Sequence, residues 1–467
     1  MNFQVVLLWS DVLLWLLLVS VLGFAGLVLR SEPLRAAWGK VGTSRKGMAA
    51  ATLLVVFILI ALLDSLHYRP RLPDMAEGRP VYGVEVYSVL DVVLTQARTR
   101  LEKTYSAPFA TRLYARENIE QADGRHVRDY PRLRHGGAHL ADEEDRVAAD
   151  AFATTLKGWA FALALWILLA AALTTALAWR RGMTVQDSWR TLWRCRDGLA
   201  WDAVLWTLAL ILLLAVPLAL LSADYHVFGT DKVGQSVLYQ VFKSVRTALV
   251  IGLVPTLVTL PLALLFGLLA GYFGGWLDDV IQYLYTVLSS IPGVLLIAAA
   301  VLMMQVVIDT HPEWFASAVE RADLRLLALC FILGLTSWTG LCRLLRGEAM
   351  KLRELEYVQA ARAFGVGHSG ILIRHILPNV MHIVIISVVM GFSSLVLSEA
   401  VLSYVGVGVD PNMTSFGTMI NNARLELGRE PIVWWSLLAA MMSMFILVLA
   451  ANLFADVVRD AFDPRTV

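Results

Sequence analysis

Nine long apolar stretches, each bounded by charged residues, constrain the fold of this 467-residue chain more than any other feature. A bilayer core about 30 Å thick is crossed by roughly 20 apolar helical residues. Charged residues make up only 16% of the chain, whereas a soluble domain carries about 25%. We therefore predict an all-α integral membrane protein with about nine transmembrane helices. The predicted spans one to nine are 12–29, 47–63, 158–179, 203–223, within 247–277, within 280–308, 326–342, 376–398 and 431–455.

The basic residues predict the orientation of these spans. Lys and Arg collect in residues 30–46, 180–202 and 343–375. Nine alternating spans put these three segments on one face, and basic loops mark the cytoplasmic face. The N-terminus is then outside and the C-terminus inside. The first apolar stretch lacks a basic start and a small-residue cleavage site, so we predict a retained helix instead of a secretory signal.

One long hydrophilic segment, residues 64–157, is predicted to form a small extracytoplasmic domain. A period close to 3.6 predicts helix around 84–102, and residues 123–145 are expected to be solvated loop. His126, His135 and His139 are expected to be surface histidines, because no cysteine or fixed carboxylate spacing accompanies them. The expected domains are extra helices in 1–63, the outer domain 64–157, spans three and four in 158–223, and a core in 224–467.

Several classes of function are excluded or disfavoured by residues that the sequence lacks. A net charge of +1 excludes nucleic-acid binding by bulk charge. The chain has no Walker A, H-E-x-x-H or G-x-S-x-G pattern, so it is not expected to be an enzyme. Ion-driven transport is disfavoured because His382 and Glu399 are nearly the only ionisable groups in the spans. Energy for transport would then come from a partner.

The most informative stretch joins spans seven and eight. Glu354–Phe364 is predicted to be a short helix that Gly365 ends in a left-handed C-cap. A second short helix is expected around 368–376, and Pro378 is expected in the first turn of span eight. Four residues spaced i, i+3, i+4 and i+7 form one face of the first helix: Tyr357, Ala360, Ala361 and Phe364. An ordinary amphipathic helix at the membrane interface would also show this face.

The spacing of Gln359-Ala360-Ala361, Gly365 and Leu377-Pro378 resembles the EAA loop of ABC-importer permeases. Gln359 stands where that family has Glu, and His375 where it usually has Ile. Four further segments resemble, in the same order, motifs of the C-type permease of dipeptide and oligopeptide importers: 228–238, 271–278, 398–408 and 452–465. Gln235-Ser236 and Thr286 depart from the family pattern. The resemblance covers about residues 224–467.

This resemblance implies a type I ABC-importer permease core in a bacterial inner membrane, passing peptides or similar solutes. Its ATPase-coupling loop would be 343–378. The implied coupling residues are Glu354, Tyr357, Gln359, Ala360, Ala361, Phe364, Gly365, Leu377 and Pro378. The candidate gate or translocation residues are Ser289, Ser290, Pro292 and Glu399. Glu399, placed at the end of span eight, is expected to bond the backbone of the 403–408 turn, with surplus interfacial charge as the alternative.

The resemblance also implies partners. These are a second homologous permease, two cytoplasmic ABC ATPases and a periplasmic or lipid-anchored solute-binding protein, besides membrane lipid. The chain itself would bind no cofactor, since ATP and Mg are used by the ATPases. Import of another solute and a membrane scaffold that recruits a partner stay open as alternatives. Two positions stay open for the family's usual first helix. Arg45-Lys46 followed by apolar residues suits span two, and the short distance from span four to Phe228 suits span four, which we favour slightly.

Overall fold

The computed structural model describes residues 3–71, 82–120, 126–140, 144–193, 198–315 and 317–462. Among these residues, nine helical segments are long and apolar enough to cross a membrane. The prediction of an all-α integral membrane protein with about nine transmembrane helices is confirmed. Five of these segments, spans one, two, three, seven and eight, extend beyond the predicted apolar window at both ends, because the helix continues into flanking polar residues. Span seven, predicted as 326–342, lies within a helix of 36 residues, Ala318–Arg353.

The α-helices of the described residues are α1 (Trp9–Arg30), α2 (Glu32–Thr43), α3 (Arg45–Asp64), α4 (Val89–Val93), α5 (Thr95–Thr99), α6 (Val147–Arg181), α7 (Val185–Trp193), α8 (Trp201–Leu221), α9 (Val237–Leu253), α10 (Thr256–Phe273), α11 (Gly275–Ser290), α12 (Gly293–Thr310), α13 (Ala318–Arg353), α14 (Glu356–Ala363), α15 (His368–Ile371), α16 (Leu377–Val405), α17 (Phe416–Glu426) and α18 (Trp435–Phe462). The strands are β1 (Phe3–Val6), β2 (His67–Pro70), β3 (Tyr87–Ser88), β4 (Glu117–Glu120) and β5 (His126–Asp129).

Prolines interrupt two of the predicted spans. Pro255 separates α9 from α10, and Pro292 separates α11 from α12. Proline has no N–H for the helical ladder and pushes the preceding residue toward extended backbone. Ile291 shows this directly, with φ −87° and ψ 132°. The stretch predicted as a single span six is therefore two helices.

Two small antiparallel sheets lie in the hydrophilic part of the chain. One has the strand order β1-β2-β3, with Val6 opposite His67, and the other is the hairpin of β4 and β5. The helix predicted around 84–102 is reduced to α4 and α5, because β3 uses its start and Leu94 interrupts it. The loop predicted for 123–145 contains β5 and short 3-10 turns in its described part. Residues 123–125 and 141–143 lie outside the described residues.

The chain divides into two compact units. The first consists of Met1–Leu7, Trp38–Thr247 and Thr414–Phe454. The second consists of Leu8–Ala37, Ala248–Met413 and Ala455–Val467. Each unit contains segments from inside and outside the 224–467 region.

Close helix packing organises the membrane part of the first unit. A Cβ atom built on Gly158 of α6 would lie 2.7 Å from Pro217 Cα of α8, so glycine permits this close approach. Trp166 Nε1 donates to Leu205 O at 2.8 Å between the same two helices. Arg45 at the start of α3 pairs with Asp202 of α8 at 2.9 Å. These contacts join spans two, three and four.

The hydrophilic part of the first unit, the described residues of 64–157, is joined to the 228–238 segment by hydrogen bonds. Ser106 N donates to Thr230 Oγ1 at 2.7 Å, and Thr230 N donates to Ser106 O at 3.1 Å. Gly234, with φ +76°, accepts from Glu102 N at 3.0 Å. A Cβ on Gly234 would lie 1.8 Å from Glu102 O. Only glycine fits there, for both its conformation and its size.

The Glu102 carboxylate is buried in the same region, and both of its oxygens form hydrogen bonds. It accepts backbone N–H groups of Arg134, His135 and Gly136 at 2.9, 2.8 and 3.1 Å, and its Oε1 lies 3.2 Å from His226 Nε2. Burial by itself raises the pKa of Glu102. The hydrogen bonds from His226 and the three backbone groups outweigh burial and lower the pKa to about 2.

A second buried polar cluster of this unit joins α3, α4 and α9. Lys243 Nζ lies 2.6 Å from Asp64 and 3.2 Å from Asp91. Tyr239 OH donates to Asp91 at 2.8 Å, and Ser88 Oγ donates to Asp64 at 2.7 Å. Burial raises the pKa of Asp91, but Lys243 and the hydrogen-bond donors lower it overall. One ammonium group therefore neutralises part of the charge of two buried carboxylates.

In the second unit, glycines let α10 and α13 approach each other closely. Cβ atoms on Gly267 and Gly271 would lie 2.9 Å from Cys342 O and 2.5 Å from Arg346 O. On α13, a Cβ on Gly334 would lie 2.7 Å from Pro255 O. Small residues four apart are a common device for helix association in membranes. The α10–α13 pair therefore forms the centre of this unit.

Helix α1 belongs to the second unit and is fastened to α13. Ser10 N donates to Asp323 Oδ2 at 3.2 Å, and Ser10 Oγ also bonds this carboxylate. Both residues are buried. Span one thus packs on a helix of the 224–467 region.

Candidate functional site

The predicted coupling helix is present as α14, which is slightly shorter than the predicted Glu354–Phe364. Glu354 forms the C-cap of α13, and Phe364 forms the C-cap of α14. Between the two helices Leu355 is extended, with φ −71° and ψ 141°. This extended residue separates α14 from the long helix before it.

Gly365 ends this segment in the left-handed conformation that the sequence predicts, with φ +80°. Val366 N donates to Ala361 O at 3.1 Å, and Gly365 N donates to Arg362 O at 3.0 Å. These two bonds are the pair that defines a Schellman motif. The bend after α14 is therefore formed by local backbone bonds.

Three of the four residues on the predicted apolar face of α14 are exposed in this chain. Phe364 is 88% exposed and Tyr357 is 43% exposed, while Ala361 is half-buried. The residue that α14 buries is Val358, at 2% exposure. The helix thus uses one side to attach to its own unit and presents the Tyr357 and Phe364 side to its surroundings.

Hydrogen bonds connect α14 to the start of span eight. Asn379 Nδ2 donates to Tyr357 OH at 3.1 Å and to His375 O at 2.6 Å. The helix predicted around 368–376 consists of α15 and a π-helical turn that continues into α16. Leu377 and Pro378 begin α16, as predicted for Pro378. The ring of a proline in a helix crowds the carbonyl of the residue four positions earlier. The wider π turn before Pro378 leaves more room for its ring.

The turn at 271–278 supports the same region from the α10–α11 side. Arg346 of α13 makes two hydrogen bonds to the Asp278 carboxylate, at 2.5 and 2.6 Å. Arg353 Nη1 donates to Gly271 O at 3.3 Å, and Tyr272 OH lies 2.9 Å from His368 Nδ1. No role for these side chains is evident from the sequence motifs. The Asp that closes the 271–278 motif was the available signal, but its partner is 68 residues away.

Three of the candidate gate residues lie at the break between α11 and α12. Ser289, Ser290 and Pro292 are exposed in this chain, and Pro292 is the N-cap of α12. Ser290 Oγ donates to Val287 O at 2.7 Å, the usual bond of a serine to the preceding helical turn. Their role in translocation stays a prediction.

The fourth gate candidate, Glu399, differs from its predicted setting. It does not close span eight, because α16 continues to Val405 and ends at Gly406 with φ +88°. Glu399 is 2% exposed, so it is not surplus charge at an interface. The hydroxyl of Ser403, the first residue of the predicted 403–408 turn, donates to it at 2.6 Å, and the predicted bond to the backbone of that turn stays a prediction. Because α16 continues past Glu399, the carboxylate is buried beside Ser403, which lies one helical turn later.

Comparisons with known proteins bear on this arrangement. Residues 263–467 match the family described as binding-protein-dependent transport system inner membrane component. The glutathione transport system permease protein of Pectobacterium atrosepticum is 30% identical over 303 residues, covering 61% of this chain and 94% of the relative. The oligopeptide transport system permease protein of Mycobacterium bovis is 32% identical over 241 residues, covering 52% and 76%. The chain belongs to this family.

A third member, the dipeptide transport system permease protein of Lactococcus lactis, is 29% identical over 242 residues. That match covers 52% of this chain and 64% of the relative's length. As a family member, this chain is a multi-pass permease component, and α14, Gly365 and the Asp278–Arg346 pair all lie in the matched range 263–467. The resemblance identified from the sequence motifs is confirmed.

Proposed function

We propose that this chain is the permease subunit of an ATP-driven importer that passes peptides or related small solutes through a bacterial inner membrane. The exposed Tyr357 and Phe364 face of α14, attached at its rear through Val358, is the observation that carries the proposal. A helix fixed to its own unit on one side and open on the other suits the docking of a partner. Movement of that partner would reach α16 through the Asn379–Tyr357 bond.

The proposed partners are a second homologous permease, two cytoplasmic ABC ATPases and an extracytoplasmic solute-binding protein. In this assembly the chain makes and breaks no covalent bond, and ATP and Mg are bound by the ATPases. The ATPase nucleotide state would favour one of two conformations of the permease, which is coupling by differential binding. The names of the relatives, with dipeptide, oligopeptide and glutathione transport, favour a peptide or peptide-like solute.

Span four is proposed as the family's usual first helix, with spans one to three and the outer domain as an extension. The alignment to the Pectobacterium relative covers 94% of that protein in 303 positions. A match beginning at span two would have to extend over more than 400 residues of this chain. The shorter alignment therefore favours span four.

The coupling role is tested with a bulky side chain on the exposed face of α14. Ala361→Trp is expected to weaken ATPase docking or to uncouple ATP hydrolysis from uptake, since overpacking a contact typically costs about 1–3 kcal/mol. Gly365→Val should act in the same direction, because valine disfavours the left-handed conformation of the bend. Solute uptake and solute-stimulated ATPase activity in reconstituted vesicles are the measurements.

Ala363→Trp is the matched control for this test. Residues two apart lie on opposite sides of a helix, and Ala363 is exposed like its neighbours. This variant should retain most of the uptake. Normal uptake and normal ATPase stimulation by assembled Ala361→Trp would remove α14 as the coupling element.

The proposed orientation puts the N-terminus and residues 64–157 outside and the C-terminus inside. The β1–β2 pairing, which joins residues before span one to residues after span two, supports placing both on the same side of the membrane, and the basic segments then favour the outside. In a background without the native cysteines, a membrane-impermeant thiol reagent added from outside should label Asp145→Cys and spare Lys351→Cys. Labelling of Lys351→Cys alone would reverse the orientation.

A further inference from the structure

A cavity of about 390 Å³ lies in the first unit, outside the loop described above. The β4–β5 hairpin and the residues just before it form one side, and the segment before α18 forms the other. Three tyrosines and three arginines are prominent in its lining: Tyr105, Tyr114, Tyr130, Arg116, Arg128 and Arg429. This volume falls in the range of sites for small molecules.

The lining of this cavity is cationic. Besides the three arginines, one carboxylate residue, Glu430, is among the lining residues. Within the part of the chain that the structure describes, Arg116 and Arg128 form no ion pair. Arg429 lies 3.4 Å from Glu426. Among the described residues, the Arg116 and Arg128 guanidinium groups therefore have no carboxylate partner that would compete with a negatively charged ligand.

Aromatic rings hold two of these guanidinium groups in place. The Arg116 guanidinium lies 5.1 Å from the Tyr130 ring centroid, and that of Arg429 lies 5.2 Å from the Tyr105 ring centroid. A guanidinium stacked on a ring keeps its N–H donors in its own plane, where they can bind a carboxylate or phosphate in a bidentate manner. Stacking thus orients these arginines without using their donors.

The tyrosine side of the cavity is preformed. Tyr105 is 5% exposed, and Tyr114 OH donates to Ile432 O at 3.2 Å. The Tyr114 ring also packs edge-on against Trp435, at a centroid distance of 4.9 Å. Fixed rings reduce the conformational entropy that a ligand must remove on binding.

We propose that this cavity is an accessory binding site for a small organic anion that carries a carboxylate or phosphate group and an apolar part. The arginines would bind the anionic group, and the tyrosine rings would contact the apolar part. Because Arg429 lies within the family-matched range and the β4–β5 hairpin lies outside it, the ligand would bridge the extension and the core sequence within the first unit. The proposal does not rest on the proposed transport function.

Binding is measured by calorimetry on the purified full-length chain in detergent, without ATP. The probes are a Glu-Tyr dipeptide, the same dipeptide with every carboxylate amidated, and inorganic phosphate. The acidic dipeptide or phosphate should bind, and the amidated dipeptide should not. Arg116→Gln and Arg128→Gln should each weaken binding about tenfold or more, the scale of a lost charged hydrogen bond. Arg190→Gln, an exposed arginine of α7, is the control and should bind normally.

The acidic dipeptide and inorganic phosphate distinguish the two kinds of anionic group. Binding of the dipeptide alone supports a carboxylate ligand, and binding of phosphate alone supports a phosphate ligand. Arg116→Lys, which retains the positive charge, should bind better than Arg116→Gln. Equal binding of the amidated dipeptide would overturn the anion site. Absence of binding by every probe at millimolar concentration would also overturn it, as would unchanged binding by Arg116→Gln and Arg128→Gln. Uptake assays are separate, so either proposal can fail alone.

Discussion

The α10–α13 pair of the second unit and the hydrophilic part of the first unit are held together by different forces. In the pair, Gly267 and Gly271 bring backbone atoms of two helices within close contact. In the hydrophilic part, buried polar groups make the main connections, with Glu102 and Lys243 at the centres of two clusters. Glycines occur in both, but Gly234 serves a left-handed turn and Gly271 serves helix packing.

The difference follows from the surroundings. Lipid is as apolar as a helix surface, so helices in a membrane gain from close packing more than from hydrophobic burial. In water-exposed regions, hydrogen bonds and buried charge pairs specify which segments meet, and an unpaired buried charge is strongly unfavourable. The two regions should therefore respond to different substitutions.

The largest expected effect is that of Gly271→Val. Valine cannot fit where a Cβ would lie 2.5 Å from the backbone of Arg346, so α10 and α13 must separate. We expect a loss of more than about 3 kcal/mol, since overpacking ordinarily costs 1–3 kcal/mol and here the obstacle is backbone. Thermal unfolding of the purified chain, followed by size-exclusion chromatography, measures it.

Gly347→Val on α13 is the matched control, because nothing lies within 4 Å of a Cβ at that position. It should cost little beyond the helix propensity of valine. Equal destabilisation by both variants would show that close packing at Gly271 is not what holds the pair.

Lys243→Met tests the polar side of the comparison. It leaves Asp64 and Asp91 buried without their ammonium partner, and breaking a buried pair typically costs about 3–5 kcal/mol. Thermal unfolding is again the measurement. Lys103→Met, which removes an exposed pair with Glu117, should change stability by only about 0–1 kcal/mol.

The double variant Lys243→Met/Asp64→Asn should recover part of the lost stability, because it removes one of the uncompensated charges. If Lys243→Met were as mild as Lys103→Met, the cluster would not hold α3 and α4 to α9.

The smallest expected effect is a pH dependence set by Glu102. Its pKa is about 2 in the folded chain and near 4.5 without folding. The carboxylate therefore stabilises the fold fully above about pH 4.5, and this contribution, about 3 kcal/mol, is lost as the pH falls toward 2. This loss is measured by the resistance of residues 64–157 to protease at pH values from 7 down to 3.

Glu102→Gln should make residues 64–157 less resistant to protease at pH 7. It should also make that resistance depend less on pH. The same titration of the α10–α13 pair, read by cleavage near Lys351, should show no matching transition. If the protease resistance of Glu102→Gln fell with pH as steeply as that of the unmodified chain, the transition would belong to other titrating groups.

Much of the candidate site was predictable because it is local in sequence. The apolar face of α14, the left-handed Gly365 and the position of Pro378 each depend on residues a few positions apart. The anchors of that helix were not predictable, since Tyr357 bonds Asn379, 22 residues away, and Asp278 bonds Arg346, 68 residues away. Glu399 was misplaced for a related reason. Apolar windows do not show how far a helix continues past a charged residue.

The sequence by itself determined that the chain is a multi-pass helical membrane protein, that its Lys and Arg residues collect in three segments, and that the motifs of a transport permease follow one another in the second half. These features depend on the composition, hydrophobic period and motif spacing of residues that are close together in the sequence. Tertiary structure alone decided that span one attaches to α13 through Ser10 and Asp323, while span two joins α8 through Arg45 and Asp202. The reason is physical: the apolar surfaces of lipid-embedded helices are chemically alike, so their partners are selected by a few glycines and buried polar pairs whose members are far apart in the chain.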